Sequence, residues 1–218
     1  MKSPRLAPAI LAVLAALSTP NRAALVNGGF EDPHIDPSAI LVYPGGSNIG
    51  GWTVSGVDVV LIGTNHPEPS HAITIFNSDE GTQALDLTGS GNTGPSDGVS
   101  QSIATVPGEA YTILFSVGRS AGTVVYLTES TADLSIDGGP RIPFTNSDFP
   151  LNFGTVTWKE FSYSFTATGS STDIAFLNGT TSNNYVGLDN VRIVPEPSSA
   201  VLCLGGMWVA LGARRRRC

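Results

Sequence analysis

Several stretches of this chain hold side chains whose type and spacing bear on chemistry. Gly118-Arg119-Ser120-Ala121-Gly122 has the G-x-S-x-G spacing of a hydrolase nucleophile elbow, which presents a serine hydroxyl on a strained turn between a strand and a helix. The residues that follow, Thr123-Val124-Val125-Tyr126-Leu127, are strand formers. His34, His66 and His71 all precede the serine, whereas hydrolases of that type place the histidine last. The pentapeptide therefore reads as a hairpin turn. His66-Pro67-Glu68-Pro69-Ser70-His71 offers two imidazoles and a carboxylate, a donor set that suits zinc. Its two prolines make a stiff loop with no regular element to fix ligand geometry, and a solvated loop is expected. Asp79 with Glu80, and Asp86 with Asp97, are carboxylate pairs of the kind glycoside hydrolysis uses. An acidic chain yields such pairs by chance, and nothing here sets their separation. No glycine loop that would cradle phosphate leads into a helix. No catalytic residue is assigned, and the chain is not expected to be an enzyme.

Aromatic faces offer a different chemistry. Sugar recognition stacks pyranose rings on aromatic side chains flanked by hydrogen-bonding groups. Trp158 is the first candidate, because it falls out of step with Phe161, Tyr163 and Phe165 and so faces the other side of their strand. Tyr43, Tyr126 and Tyr185 are the weaker candidates. Packing at a rim is the competing role for Trp158, and Trp52, next to Gly51 and a strand, is expected in the core.

Strands must position these groups. Tyr111, Ile113, Phe115 and Val117 alternate with smaller or more polar neighbours, as do Phe161, Tyr163, Phe165 and Ala167, and then Ile174 and Phe176. Further strands are predicted over 25–30, 54–62, 72–76, 83–87, 99–104, 123–127, 132–136 and 185–194. Turn signals such as Asp137-Gly138-Gly139-Pro140 and Gly89-Ser90-Gly91-Asn92 separate them. In the last strand Leu188 falls on one alternation while Val191 and Ile193 fall on the other, which a bulge between them would reconcile. Outside the termini no helical period persists. The fold class is all-β, a two-sheet sandwich of jelly-roll type.

The termini differ from this body. Lys2 and Arg5 precede the apolar run 6–17, which Ser18, Thr19 and Pro20 break before Ala23 and Ala24, so 1–24 reads as a signal peptide. Residues 25–194 form one domain. It holds four basic residues, Arg119, Arg141, Lys159 and Arg192, against 17 carboxylates, a balance of −13 with histidines neutral. That surface repels phosphate backbones and excludes nucleic acid as a partner. Both cysteines, Cys203 and Cys218, lie beyond the domain, so its stability rests on burial, or on burial with a metal ion. Over 200–213 an apolar helix would reach roughly 20 Å, short of a hydrocarbon layer of roughly 30 Å. Arg214, Arg215, Arg216 and Arg217 would stay on the cytoplasmic side.

Val194-Pro195-Glu196-Pro197, a short oily segment and an arginine cluster, in that order, resemble the PEP-CTERM sorting signal (195–218). The resemblance implies recognition by an exosortase at the inner membrane of a Gram-negative, exopolysaccharide-producing bacterium, and a place at the cell surface or in the extracellular matrix. An ordinary tail anchor is the alternative. "LVNGGFEDP", "IGGWTVSGVDVV", "GTQALDLTGS", "GVSQSIATVPGEAYTILFSVG" and "YVGLDNVRIV" are similar, in the same order, to the choice-of-anchor C family. That family implies a galactose-binding-like jelly roll, an architecture of carbohydrate-binding modules, where a structural calcium ion ties the first strand to the last. By this resemblance Glu31 and Asp189 would hold calcium, and a carboxylate accepting backbone hydrogen bonds at a strand end is the other reading of Asp189. The function expected is non-catalytic polysaccharide binding outside the cell. A purely structural or adhesive role and, behind it, a glycan-cleaving enzyme are the alternatives.

Overall fold

The computed structural model describes residues 24–67, 76–91, 97–121, 126, 128–150, 154–180 and 184–196, and every regular element among them is a β-strand. No helix among them is long and apolar enough to cross a membrane. The strands are β1 (Ile40–Pro44), β2 (Asn48–Ile49), β3 (Trp52–Ser55), β4 (Asp58–Gly63), β5 (Gln83–Asp86), β6 (Gly98–Ala104), β7 (Ala110–Ser120), β8 (Ser130–Ile136), β9 (Ile142–Asn146), β10 (Val156–Thr166), β11 (Ser171–Asn178) and β12 (Gly187–Pro195). They form two six-stranded antiparallel sheets in the orders β1-β4-β5-β12-β7-β10 and β2-β3-β6-β11-β8-β9. The last eight strands alone, β5-β12-β7-β10 facing β6-β11-β8-β9, have the connectivity of a jelly roll, and β1 to β4 widen both sheets.

Period-two alternation builds the core. Tyr111, Ile113, Phe115 and Val117 on β7 are all buried, and Phe115 packs edge-on against Phe144 of β9 and Phe176 of β11 in the facing sheet. Burying each such side chain contributes roughly 1.5–3 kcal/mol. On β10 the inward row Phe161, Tyr163 and Phe165 is only half-buried, because β10 closes the edge of its sheet.

Several expectations need correction. Residues 25–30 form no strand: Asn27 and Phe30 have φ of 51° and 55°, and Asn27 accepts from the Asp32 backbone N–H at 2.9 Å. Asparagine tolerates the left-handed region, and the coil still plugs the core with Phe30, 5.6 Å from Trp52. The single strand expected over 54–62 breaks at Gly56 (φ 80°), so β3 and β4 enter different sheets. Gly118-Arg119-Ser120 is not a hairpin turn but the end of β7, paired with Trp158, Thr157 and Val156. The edge strands β1 and β9 were not anticipated, and Pro143 within β9 is tolerated at that edge. Of the strands expected over 72–76 and 123–127, residues 72–75, 123–125 and 127 fall outside the described residues, and Phe76 and Tyr126, the latter with φ of 58°, belong to no strand.

The predicted bulge is present. Pairing of β12 with β7 shifts between Asp189 and Arg192, Asn190 has φ of 54°, and Leu188 and Val191 both reach the core. β12 then runs through Pro195, opposite Tyr111, and the Glu196 N–H donates to the Ala110 carbonyl at 2.9 Å. The sandwich thus takes in the first two residues of the Pro-Glu-Pro sequence. The signal-peptide segment before residue 24, Pro197 and the four tail arginines lie outside the described residues.

Candidate functional site

Alternation that sends Val59, Leu61 and Leu85 inward sends Val60, Ile62 and Asp86 to the outer face of the first sheet. Across that face β12 and β7 place two glycines side by side, Gly187 opposite Gly118. Trp158 of β10, the partner of Gly118, lies over both. A Cβ at Gly118 would come within 2.8 Å of the indole Cη2 and Cζ3, and one at Gly187 within 2.7 Å of Cη2. The indole N–H donates to the Asn77 carbonyl at 2.8 Å. Asn77 is fixed in turn by its side chain, which accepts from the Val156 N–H (2.8 Å) and donates to the Val156 carbonyl (3.1 Å). Phe76 stands 4.9 Å from Tyr185, and Trp158 and Tyr126 pack against this second cluster of Val60, Ile62, Phe76, Val156 and Tyr185.

Two ionisable groups at this cluster are shifted from their ordinary range. Asp86 Oδ1 accepts from the Thr88 N–H (2.9 Å) and hydroxyl (2.7 Å) and from the Val186 N–H (3.3 Å). Burial outweighs these donors and pushes the Asp86 carboxyl up to about 7, with the Asp58 charge adding to the rise. Burial, and then the charges of Asp86 and Asp189, hold the Tyr185 phenol well above its usual range. The result is an apolar floor, aromatic walls and a buried carboxyl that is half-protonated near neutral pH. Such a surface suits stacking with a sugar ring far better than proton transfer to an exposed substrate.

A family model described as "Protein of unknown function (DUF642)" matches residues 23–193. The chain belongs to the DUF642 family. Its structure is similar to the CBM22-1 xylan-binding domain of Paenibacillus barcinonensis Xyn10C, with 17% identity over 72% of this chain and 95% of that one and a TM-score of 0.45. It is similar also to TmCBM61 in complex with β-1,4-galactotriose (14% identity, 80% and 99% covered, TM-score 0.41). A family 35 carbohydrate binding module from Clostridium thermocellum is a third (16%, 72% and 99%, TM-score 0.40).

In this DUF642 sandwich three of the four aromatic residues named from sequence, Trp158, Tyr126 and Tyr185, meet in one cluster. Tyr185 is buried within it, while Trp158 and Tyr126 are partly exposed. Tyr43 does not join them; it faces inward from β1, opposite Val59, and packs on the main core. Burial and the Asp32 charge raise its phenol. Phe76, Asn77 and Gly187 were not singled out from sequence, and Gly118 was named only within the G-x-S-x-G spacing. A glycine inside a strand does signal a close approach, and Gly118 and Gly187 were readable in that way.

Glu31 and Asp189 lie near one another but face different donors. Glu31 accepts from the Thr82 N–H (2.7 Å) and hydroxyl (2.8 Å) and the Gln83 N–H (3.1 Å). Asp189 Oδ2 accepts the N–H groups of Asp79 and Glu80, each at 2.9 Å, and Oδ1 that of Asn190 at 2.7 Å. Burial still pushes the Asp189 carboxyl up to about 7 against these three donors. Among the described residues no group of three or more His, Cys, Asp or Glu side chains is placed to hold a metal ion. Of the remaining candidates, Ser120 is fully buried with its hydroxyl unpartnered, and His66 Nδ1 lies 2.8 Å from the Ser38 carbonyl.

Proposed function

We propose that this chain is an exported bacterial surface or matrix protein whose jelly roll binds polysaccharide without cleaving it. One observation carries the reading: Trp158 and Tyr126 come together, partly exposed, above an apolar floor on one face of the sheet. The rigid glycine bed and the Asn77 hydrogen bond fix the indole before any ligand arrives, so little side-chain entropy is lost on binding. The buried Ser120 hydroxyl supports the non-catalytic part of the proposal. Export, exosortase recognition of Pro195-Glu196-Pro197 with Arg214 to Arg217, and passage through the inner membrane of a Gram-negative cell rest on the terminal resemblance, as does the choice-of-anchor kinship. Calcium between Glu31 and Asp189 belongs to the proposal on the resemblance alone, since both carboxylates are already engaged by backbone and hydroxyl donors. A melting temperature indifferent to millimolar calcium and to chelator would remove the ion from it.

The test is a glycan array probed with the wild-type protein, Trp158→Ala and Tyr126→Ala. Binding that falls about tenfold or more in both variants, with melting curves that remain cooperative, is the expected result. A silent array, or full binding by both variants, rejects it. A structural or adhesive role is the second reading, favoured by β1, where Ile40, Leu41 and Val42 are 47%, 43% and 42% exposed on an edge strand. Such an edge templates pairing with another chain.

A further inference from the structure

The four cations of the domain are not treated alike. Arg141 pairs with Asp133, Lys159 with Asp148 and Arg192 with Glu160. Arg119 has no carboxylate partner among the described residues, yet it is the most buried of the four, at 5% exposure. It extends from β7, opposite Thr157, toward the space between the sheets, on the side of the strand away from Trp158. One guanidinium N–H donates to the Ser147 carbonyl, and Nε is buried with no hydrogen-bond partner. The carbonyl lies in a segment fixed by Asn146, whose side-chain amide donates to the Val117 and Thr157 carbonyls, both at 2.8 Å. Two residues past Ser147, Phe149 sets its ring 5.1 Å from the guanidinium carbon while 51% of its surface meets solvent.

Burying a guanidinium without a counter-charge is costly, and single-residue replacement would relieve it. A domain with 17 carboxylates had ample means to neutralise Arg119 internally. We infer that Arg119 and Phe149 form a binding site for the carboxylate of an acidic sugar, the guanidinium taking the carboxylate and the exposed ring taking the apolar side of the pyranose. Arginine presents planar, paired donors that match a carboxylate, and aromatic rings pack against sugar C–H groups. The balance of −13 over the domain repels a densely charged polyanion at long range. The ligand is therefore a largely neutral polysaccharide with sparse uronic-acid substituents. This inference deepens the carbohydrate-binding proposal and rests on it.

Calorimetry and thermal melting with three probes test it: xylotetraose carrying one glucuronate branch, unsubstituted xylotetraose, and sodium sulfate. The branched probe is expected to raise the melting temperature and to bind about tenfold or more tighter than the neutral one. Phe149→Ala, a surface change, should fold normally and lose most of that preference. Arg119→Met should abolish it and, in the absence of ligand, melt no lower than wild type. Equal binding of both oligosaccharides, an equal response to sulfate, retention of the preference by Phe149→Ala, or a lower melting temperature for ligand-free Arg119→Met would each overturn the acidic-sugar site. If the array signal still depends on Trp158 and Tyr126 in that event, the carbohydrate-binding proposal survives it; if no saccharide binds at all, both fall.

Discussion

Gly118 on β7 and Trp158 on β10 are register partners, and the indole fills the space that a side chain at Gly118 would occupy. Gly118 is not among the residues with positive φ, so an alanine there would meet no backbone strain. Its only penalty is steric. The methyl group would sit 2.8 Å from two indole atoms and 3.0 Å from Val156 Cγ1. Gly118→Ala is expected to destabilise the domain by roughly 1–3 kcal/mol and to lift Trp158 off its bed. Urea unfolding measures the first effect, and a red shift in tryptophan emission measures the second. An unshifted spectrum with unchanged stability would mean that the indole is not seated as described.

Asp86 gives the domain a pH dependence of defined sign. Its carboxyl rises from an ordinary 3.8 to about 7 in the fold. Below about pH 4 it is protonated in both states and contributes nothing. Between about pH 4 and 7 the unfolded chain loses a proton that the folded chain keeps, so stability falls as pH rises; above pH 7 the loss is complete. A shift of this size corresponds to at most on the order of 4 kcal/mol. Asp86→Asn retains an acceptor for the Thr88 and Val186 donors. It should therefore raise the melting temperature at pH 8, change it little at pH 4, and flatten the profile between. A wild-type profile that rises from pH 4 to pH 7 would contradict this.

Much of the fold could be read from alternation, and the exceptions have physical causes. β7 and β10 are long strands with one buried face, so their period of two is plain. The bulge at Asp189 followed from parity alone, since Leu188 and Val191 cannot both reach the core of a regular strand. β1 and β9 escaped notice because edge strands are short and exposed on more than one side, which erases the alternation. At the site, Trp158 stood out because it broke step with Phe161. Phe76 and Asn77 did not, because a loop about 80 residues away in sequence brings them to Trp158. The isolation of Arg119 was hidden for a related reason: composition gives the number of carboxylates but not which cations they meet.

Asp189 is predicted to be a stability residue whatever else it does. Its two oxygens collect the N–H groups of Asp79, Glu80 and Asn190, which join the 79–80 turn to the bulge of the last strand. Asp189→Ala leaves these buried or part-buried donors unpaired and is expected to cost about 2–4 kcal/mol. Hydrogen exchange should show faster turnover at the amides of 79 and 80 in the variant while the amides of β7 stay protected. A variant as stable as wild type would remove the carboxylate from this structural role.

The last strand sets where the domain can end. Val194 and Pro195 pair with Thr112 and Tyr111, the Glu196 N–H reaches the Ala110 carbonyl, and the Glu196 carboxylate accepts from the Thr112 hydroxyl, which also meets Ser164. Proline suits this position because β5 pairs with β12 only at Gly187 and Leu188, so at Pro195 one side of the strand has no sheet neighbour that needs an N–H. A chain cut after Glu196 should therefore melt with the full-length domain. A chain cut after Ile193 loses the final pairings with β7 and the cover over Thr112, and it should melt several degrees lower, about 1–2 kcal/mol in stability. The comparison is direct by differential scanning calorimetry. Equal melting of the two truncated chains would show that Pro195 and Glu196 belong to the tail rather than to the sandwich, and would put the sequence Pro195-Glu196-Pro197 wholly outside the folded body.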